Sequence, residues 1–253
     1  MSITPDLSGR SIFITGAARG LGRSMAIKLA SCGATVAVVD LDQAACAAVA
    51  AEILGKGGRA LALQADVANR QVLLRAAATF AAHSGHIDAV INNAMLLKYE
   101  PVENITEETL NRMVSIGING SVWGAQALLA HYNPGRGGCI INMASPVAEK
   151  GFPNTAAYSL VKGAIVTLTK VLAAELGPRG IRVNAIAPGS VPTPGALGLN
   201  DKTEYERRTR TIPLRRLGSE DDNAEACAFL LSDSASFING EILHVDGGIA
   251  AAG

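Results

Sequence analysis

Short, fully apolar runs alternate with helix-length segments along almost the whole chain, and few folds accept that rhythm. The runs fall at 11–15, 35–39, 60–64, 89–92, 139–143 and 182–185, each bounded by Gly, Asp or Asn. Their length and composition read as strands. Between them lie helical patterns at about 21–32, 43–54, 70–83, 107–131 and 156–176. In the last of these, Val161, Ile165, Leu168, Leu172 and Leu176 share one helix face, and Gly177-Pro178 marks the stop. Strands that are apolar throughout are buried on both faces, so the expected architecture is α/β: a doubly wound parallel sheet with helices on both sides. No Pro- or Ser-rich linker and no repeat divides the 253 residues, so they are read as a single domain.

Composition removes several alternatives. With 22 basic and 22 acidic side chains the formal net charge is zero, which leaves no basic footprint for nucleic acid or an anionic membrane. We expect neither as a partner. Cys32, Cys46, Cys139 and Cys227 are scattered without a C-x-x-C pair, and His83, His86, His131 and His244 form no ligand cluster with them. They read as buried small hydrophobes in a reducing compartment, without metal. The N-terminus lacks a basic stretch followed by an apolar one, and no apolar run is expected to reach membrane-spanning length. The expectation is a cytoplasmic protein.

Between the first strand and first helix stands Thr15-Gly16-Ala17-Ala18-Arg19-Gly20-Leu21-Gly22. A glycine turn there lets backbone N–H groups at a helix N-terminus approach a pyrophosphate without Cβ interference. The spacing differs from the usual G-x-G-x-x-G dinucleotide fingerprint, and a turn of this kind can also serve strand–helix packing. Asp40 adds weight to the nucleotide reading. It ends the second strand about 20 residues on, where a carboxylate can bond both adenosine ribose hydroxyls and repel a 2′-phosphate. Capping the next helix belongs more naturally to Asp42. Arg19 could meet a phosphate but does not outweigh Asp40, so the cofactor expected is NAD.

Tyr158 and Lys162 stand at i and i+4 on the long helix, with Ser145 upstream. An unperturbed phenol has a pKa near 10, too high for proton exchange at neutrality. An ammonium on the same helix face favours the phenolate, and about 4 kcal/mol of such stabilisation would bring the phenol near pH 7. The spacing alone arises often by chance; its meaning comes from its company.

In that company the chain resembles the short-chain dehydrogenase/reductase family over nearly its full length. The resemblance is carried in order by the 15–22 turn, Asp66-Val67, Asn92-Asn93-Ala94, Ser145, Tyr158 and Lys162. It continues through Asn184, Pro188-Gly189, Val191, Thr193 and the tail from Asn239-Gly240 to Asp246-Gly247-Gly248. It implies that Gly16, Arg19, Gly20, Leu21 and Gly22 cradle the pyrophosphate, that Asp66 and Val67 meet the adenine, and that Asn93 lies along the nicotinamide-side ribose. Lys162 would bond the same ribose, Val191 and Thr193 would contact the carboxamide, and Pro188 and Gly189 would also bind the cofactor. Ser145 would polarise the substrate oxygen, and Tyr158 would pass the proton as hydride moves. The implied function is an NAD-dependent oxidoreductase acting on a small secondary alcohol or ketone. Two rivals share most motifs. An NADPH-dependent 3-oxoacyl thioester reductase is opposed by Asp40, and a non-catalytic NAD-binding scaffold is opposed by the intact Ser145, Tyr158 and Lys162.

The chain departs from the family pattern twice. Met95 replaces the usual glycine after Asn-Asn-Ala, where it either narrows the site or fills a gap. Gly117 replaces the asparagine that helps hold a relay water. Asn119 is close, but in a regular helix it points to nearly the opposite side. Either the helix is distorted at Gly117 and Gly120, or a water takes the vacated space; the second is expected. The segment at about 190–213 should cover the substrate, and its Arg207, Arg208 and Arg210 read as a solvated face paired with Glu204 and Glu206 rather than an anion site. Small residues Gly120, Gly124 and Ala125 suggest close helix contacts, and family resemblance implies a homotetramer.

Overall fold

Seven parallel strands form one sheet in the order β3-β2-β1-β4-β5-β6-β7 in this computed structural model, which describes residues 5–196 and 202–252. The strands are β1 Ser11–Thr15, β2 Thr35–Asp40, β3 Arg59–Gln64, β4 Ala89–Asn92, β5 Gly138–Met143, β6 Ile181–Pro188 and β7 Ile242–Val245. Side chains alternate between the two faces, as the strand period requires. Ile12, Ile14, Val36 and Val38 enter one core with Met25, Leu29, Cys46 and Ile53. Phe13, Ala37 and Val39 enter the other with Leu73, Phe80 and Leu128. Each such large side chain, fully buried, contributes roughly 1.5–3 kcal/mol.

The helices α1 Gly20–Ser31, α2 Gln43–Gly55 and α8 Glu220–Leu231 cover the first face. The second is covered by α3 Arg70–Ser84, α5 Gly120–His131 and α6 Ala156–Leu176. A short α4, Glu107–Val114, precedes α5, and α7, Lys202–Thr211, lies beyond β6. Chain direction across the sheet reverses between β1 and β4, and in open α/β sheets ligands bind outside the carboxyl ends of strands at such a point.

Several expectations are corrected. The segment 107–131 is not one regular helix: a π turn, Ser115–Asn119, separates α4 from α5. That segment also meets the length and hydropathy of a membrane span (mean hydropathy 1.2), contrary to the sequence reading, yet α5 packs on α3 and β4. Its apolarity serves the core. Gly120 and Gly124 are buried inside the chain, Gly120 against Val67 and Gly124 against Asn92, so they offer no open helix surface to a second subunit. Strand β7 and helix α8 were not anticipated. β7 has a buried Ile242 but half-buried Leu243, His244 and Val245, which blurs its pattern. Helix α8 opens on Ser219, whose side chain and that of Asp222 form a capping box.

Candidate active site

The glycine turn is built as a cradle that side chains would fill. Gly16 has φ +65° and Gly20 φ +56°, a region that favours glycine. A Cβ on Gly16 would lie 2.8 Å from Ala94 Cα, and one on Gly22 would strike the Gly16 carbonyl. Asn93 closes the cradle from β4: its Nδ2 donates to the Thr15 and Gly16 carbonyls at 3.0 and 2.9 Å. Thr15 Oγ1 accepts from the backbone N–H groups of Asn93 and Ala94 at 3.1 and 3.2 Å. Asn93 therefore shapes the turn directly, a role the sequence did not show.

The helix beyond the turn begins without a side-chain cap on Arg19. Helices α2, α3, α4 and α8 are all capped, by Asp42, Asn69, Thr106 and Ser219 respectively. Uncapped N–H groups and the positive end of the helix dipole favour an anion. Asp40 faces this region: Oδ2 accepts from Ala18 N at 3.3 Å and Oδ1 from its own neighbour Leu41 N at 2.8 Å. Asp66 accepts from Ala68 N at 2.9 Å and Val67 is buried, so both stand at the end of β3. Thr193 lies over the turn, its Cβ 3.5 Å from where a Gly20 Cβ would be. Val191 is buried and accepts from Thr193 N at 2.9 Å, while Gly189 N donates to Val245 O at 3.0 Å beyond Pro188. Arg19 is exposed, and Leu21 is partly buried against the first core. These residues fit a dinucleotide: a Cβ-free loop, an open helix terminus and a carboxylate at the end of β2.

The second half of the site is set by a buried polar chain. Asn92 Nδ2 donates to Asn142 Oδ1 at 2.8 Å, and Asn142 Nδ2 donates to Thr169 Oγ1 at 2.9 Å. This fixes β4, β5 and α6 relative to one another, bringing Ser145, just past β5, beside Tyr158 and Lys162. Ser145 and Lys162 are buried, and Tyr158 is partly buried. Lys162 Nζ lies 5.4 Å from the Tyr158 ring centroid and donates to the Met143 carbonyl at 2.6 Å.

The expected activation of the phenol is not what this arrangement gives. Burial, and then the neighbouring Tyr99, push Tyr158 well above the ordinary phenol value, and the Ser145 hydroxyl lowers it only in part. Burial also lowers Lys162 to about 8. The ammonium points at a backbone carbonyl, so in the protein alone it does not turn Tyr158 into a ready base. Desolvation outweighs the charge.

Tyr99, which the sequence reading passed over, packs edge-on against Tyr158 with centroids 5.6 Å apart. Burial raises its phenol too, and the Arg208 charge opposes the rise. Arg208 and Arg207 both bond Glu204, at 2.7 Å through each Nε, and Arg207 is largely solvated. Arg208 Nη1 also reaches Ser190 Oγ at 3.5 Å. The paired, solvated helix face was the preferred reading, and it holds for Arg207. Residues 197–201 of the segment expected to cover the substrate lie outside the described residues, as do residues 1–4 of the N-terminus. All four cysteines are buried and unpaired.

A glycine cradle at the switch point of a parallel sheet, with a buried Ser and Lys and a partly buried Tyr beside it, defines a nicotinamide-nucleotide oxidoreductase. Comparison with known proteins agrees. A family model described as enoyl-(acyl carrier protein) reductase matches residues 16–250. Cyclopentanol dehydrogenase of a Comamonas species is 34% identical, the match covering 97% of this chain and 98% of that protein. A gluconate 5-dehydrogenase from Burkholderia cenocepacia, solved with NADP and tartrate, superposes with a TM-score of 0.93 at 32% identity, covering 98% of both chains. A 7α-hydroxysteroid dehydrogenase, solved with NADH and 7-oxoglycochenodeoxycholic acid, gives 0.94 at 32% identity over 98% and 97% of the two chains. The chain belongs to the short-chain dehydrogenase/reductase family.

Proposed function

We propose that the protein interconverts a secondary alcohol and a ketone with NAD as the preferred cofactor. The observation that carries this is the convergence of Ser145, Tyr158 and Lys162 beside a cradle bordered by Asp40. A nicotinamide dinucleotide bound in the cradle supplies the hydride carrier. Ser145 donates a hydrogen bond to the substrate oxygen, polarising the carbonyl where charge develops. Tyr158 holds the proton that moves to or from that oxygen. Lys162, whose Nζ meets the Met143 carbonyl, would bond the ribose of the bound cofactor and place its charge near the phenol. Gly16, Gly20, Leu21 and Gly22 frame the pyrophosphate, with Arg19 at its exposed edge. Asp66 and Val67 border the adenine; Pro188, Gly189, Val191 and Thr193 border the carboxamide. Asp40 accepts from the adenosine ribose hydroxyls and repels a 2′-phosphate.

The relatives leave the cofactor open, since one neighbour was solved with NADH and another with NADP. The test is turnover with each cofactor against sugars, polyols, cyclic alcohols and hydroxy acids, followed by absorbance of the reduced cofactor. NAD is expected to support the higher kcat/KM. Turnover restricted to NADP and a 3-oxoacyl thioester would replace this reading with a 3-oxoacyl thioester reductase, the activity named for a Staphylococcus epidermidis relative 35% identical to this chain. Cofactor binding without turnover across the panel would favour a scaffold. A homotetramer in the cytoplasm completes the proposal, resting on family likeness and on four unpaired thiols; light scattering tests the assembly.

A further inference from the structure

We propose that Met95 and Gly117 form a coupled pair that closes the space behind Tyr158 and Lys162, with Met95 acting as a positioning residue for them. The proposal rests on the oxidoreductase reading above. In the sequence the two residues are separate departures from a pattern. In the fold they share one place.

A Cβ on Gly117 would lie 2.9 Å from Met95 Sδ and 3.6 Å from its Cε, and would overlap Val161 Cγ1. The volume that a side chain at 117 would need is therefore already filled by the thioether tip and a valine methyl. A water cannot stand where that Cβ would be. Gly117 is buried within the π turn, and that turn packs against α6. Val161 is fully buried and immediately precedes Lys162. Its β-branched side chain is stiff in a helix, so it cannot rotate away without repacking. Met95 packs against the buried cluster of Met113, Ala157 and Val161, as does Tyr158. An unbranched thioether suits such an irregular gap.

Two consequences follow for the site. Met95 packs against the cluster that holds Ala157 and Val161 on either side of Tyr158, and through it positions the phenol and ammonium. It also keeps water from their inner side. Burial is the largest cause of the displaced titration of both groups, and this cluster supplies part of that burial.

The test is a double-mutant cycle of Met95→Ala, Gly117→Ala and the pair, read by kcat, melting temperature and ultraviolet titration of Tyr158 against a Tyr158→Phe reference. Gly117 has a negative φ. Alanine there would by itself raise the melting temperature by reducing unfolded-chain freedom. The proposal expects the opposite: Gly117→Ala lowers the melting temperature and cuts kcat about tenfold or more, as small displacements of reacting groups do. Met95→Ala admits water, and the Tyr158 titration moves to lower pH. In the pair, the new methyl and Val161 share the volume freed by sulfur, and kcat and titration return to within about threefold and half a pH unit of wild type.

Additive effects overturn the proposal. So does a change in melting temperature alone, with kcat and titration unmoved. If wild type turns over no alcohol but the titration and melting temperatures remain coupled, the oxidoreductase reading falls and the pair stands. If turnover is present and the two positions act independently, the pair falls and the reading stands.

Discussion

The cradle and the proton-handling group both lie at the carboxyl ends of the central strands but are held by different materials. The cradle is made of backbone: glycines without Cβ atoms, an uncapped helix start and a carboxylate at a strand end. The Tyr158–Lys162 group is made of packed side chains: Met95 and Val161 behind it, Tyr99 beside it, and the Asn92–Asn142–Thr169 chain beneath it. A backbone site has few tolerated substitutions and announces itself locally. A packed site admits exchanges between distant positions, provided that the volume is kept.

Four measurements strain this comparison. Tyr158→Phe removes the proton and nothing else of size, so kcat should fall by about 10²–10⁴. NADH binding, followed by fluorescence, should persist; full activity in this variant refutes the mechanism. Gly22→Ala forces a methyl onto the Gly16 carbonyl, a clash between backbone-bound atoms. It should cost about 3 kcal/mol, lowering the melting temperature by roughly 6–12 °C and abolishing NADH binding. An unchanged melting curve would mean the cradle is less rigid than its geometry indicates.

Asp40→Asn keeps the shape but removes the charge. NAD preference over NADP should shrink about 10- to 100-fold, the worth of one charged hydrogen bond. An unaltered ratio of kcat/KM values would place cofactor choice elsewhere. The smallest effect concerns stability. Burial lowers Lys162 from 10.5 to about 8. Between those values the unfolded chain holds a proton that the folded chain has released, so this group's contribution to stability rises with pH across that window. Urea midpoints from pH 7.5 to 9.5 should show the rise, and Lys162→Met should flatten it while losing activity. A rise undiminished in that variant would assign it to another group.

The six strands read from sequence were legible because each is a short, mostly apolar run bounded by turn residues, and the helices because of caps, periodicity and Gly177-Pro178. Strand β7 was not, since three of its four residues are only half-buried and its pairing with β6 comes from distant chain. Gly117 and Gly120 permit a distorted helix, and the π turn is one, but what fills the space at 117 depends on Met95 and Val161. Asn93 was recognised as a site residue, yet its bonds to the turn required β1 and β4 to be neighbours. Tyr99 lacks any periodic or motif context, and only its contact with Tyr158 reveals it.

Sequence alone determined the layered α/β architecture, because strand and helix signals act over a few neighbouring residues, and its motifs marked the glycine turn and the Ser145, Tyr158 and Lys162 set as candidates. Tertiary structure alone decided how those residues are tuned. Burial raised Tyr158 against the expected direction and lowered Lys162, and two residues far apart in the chain met in one packed space. Desolvation and packing depend on everything that surrounds a group, and the chain's order does not state its surroundings.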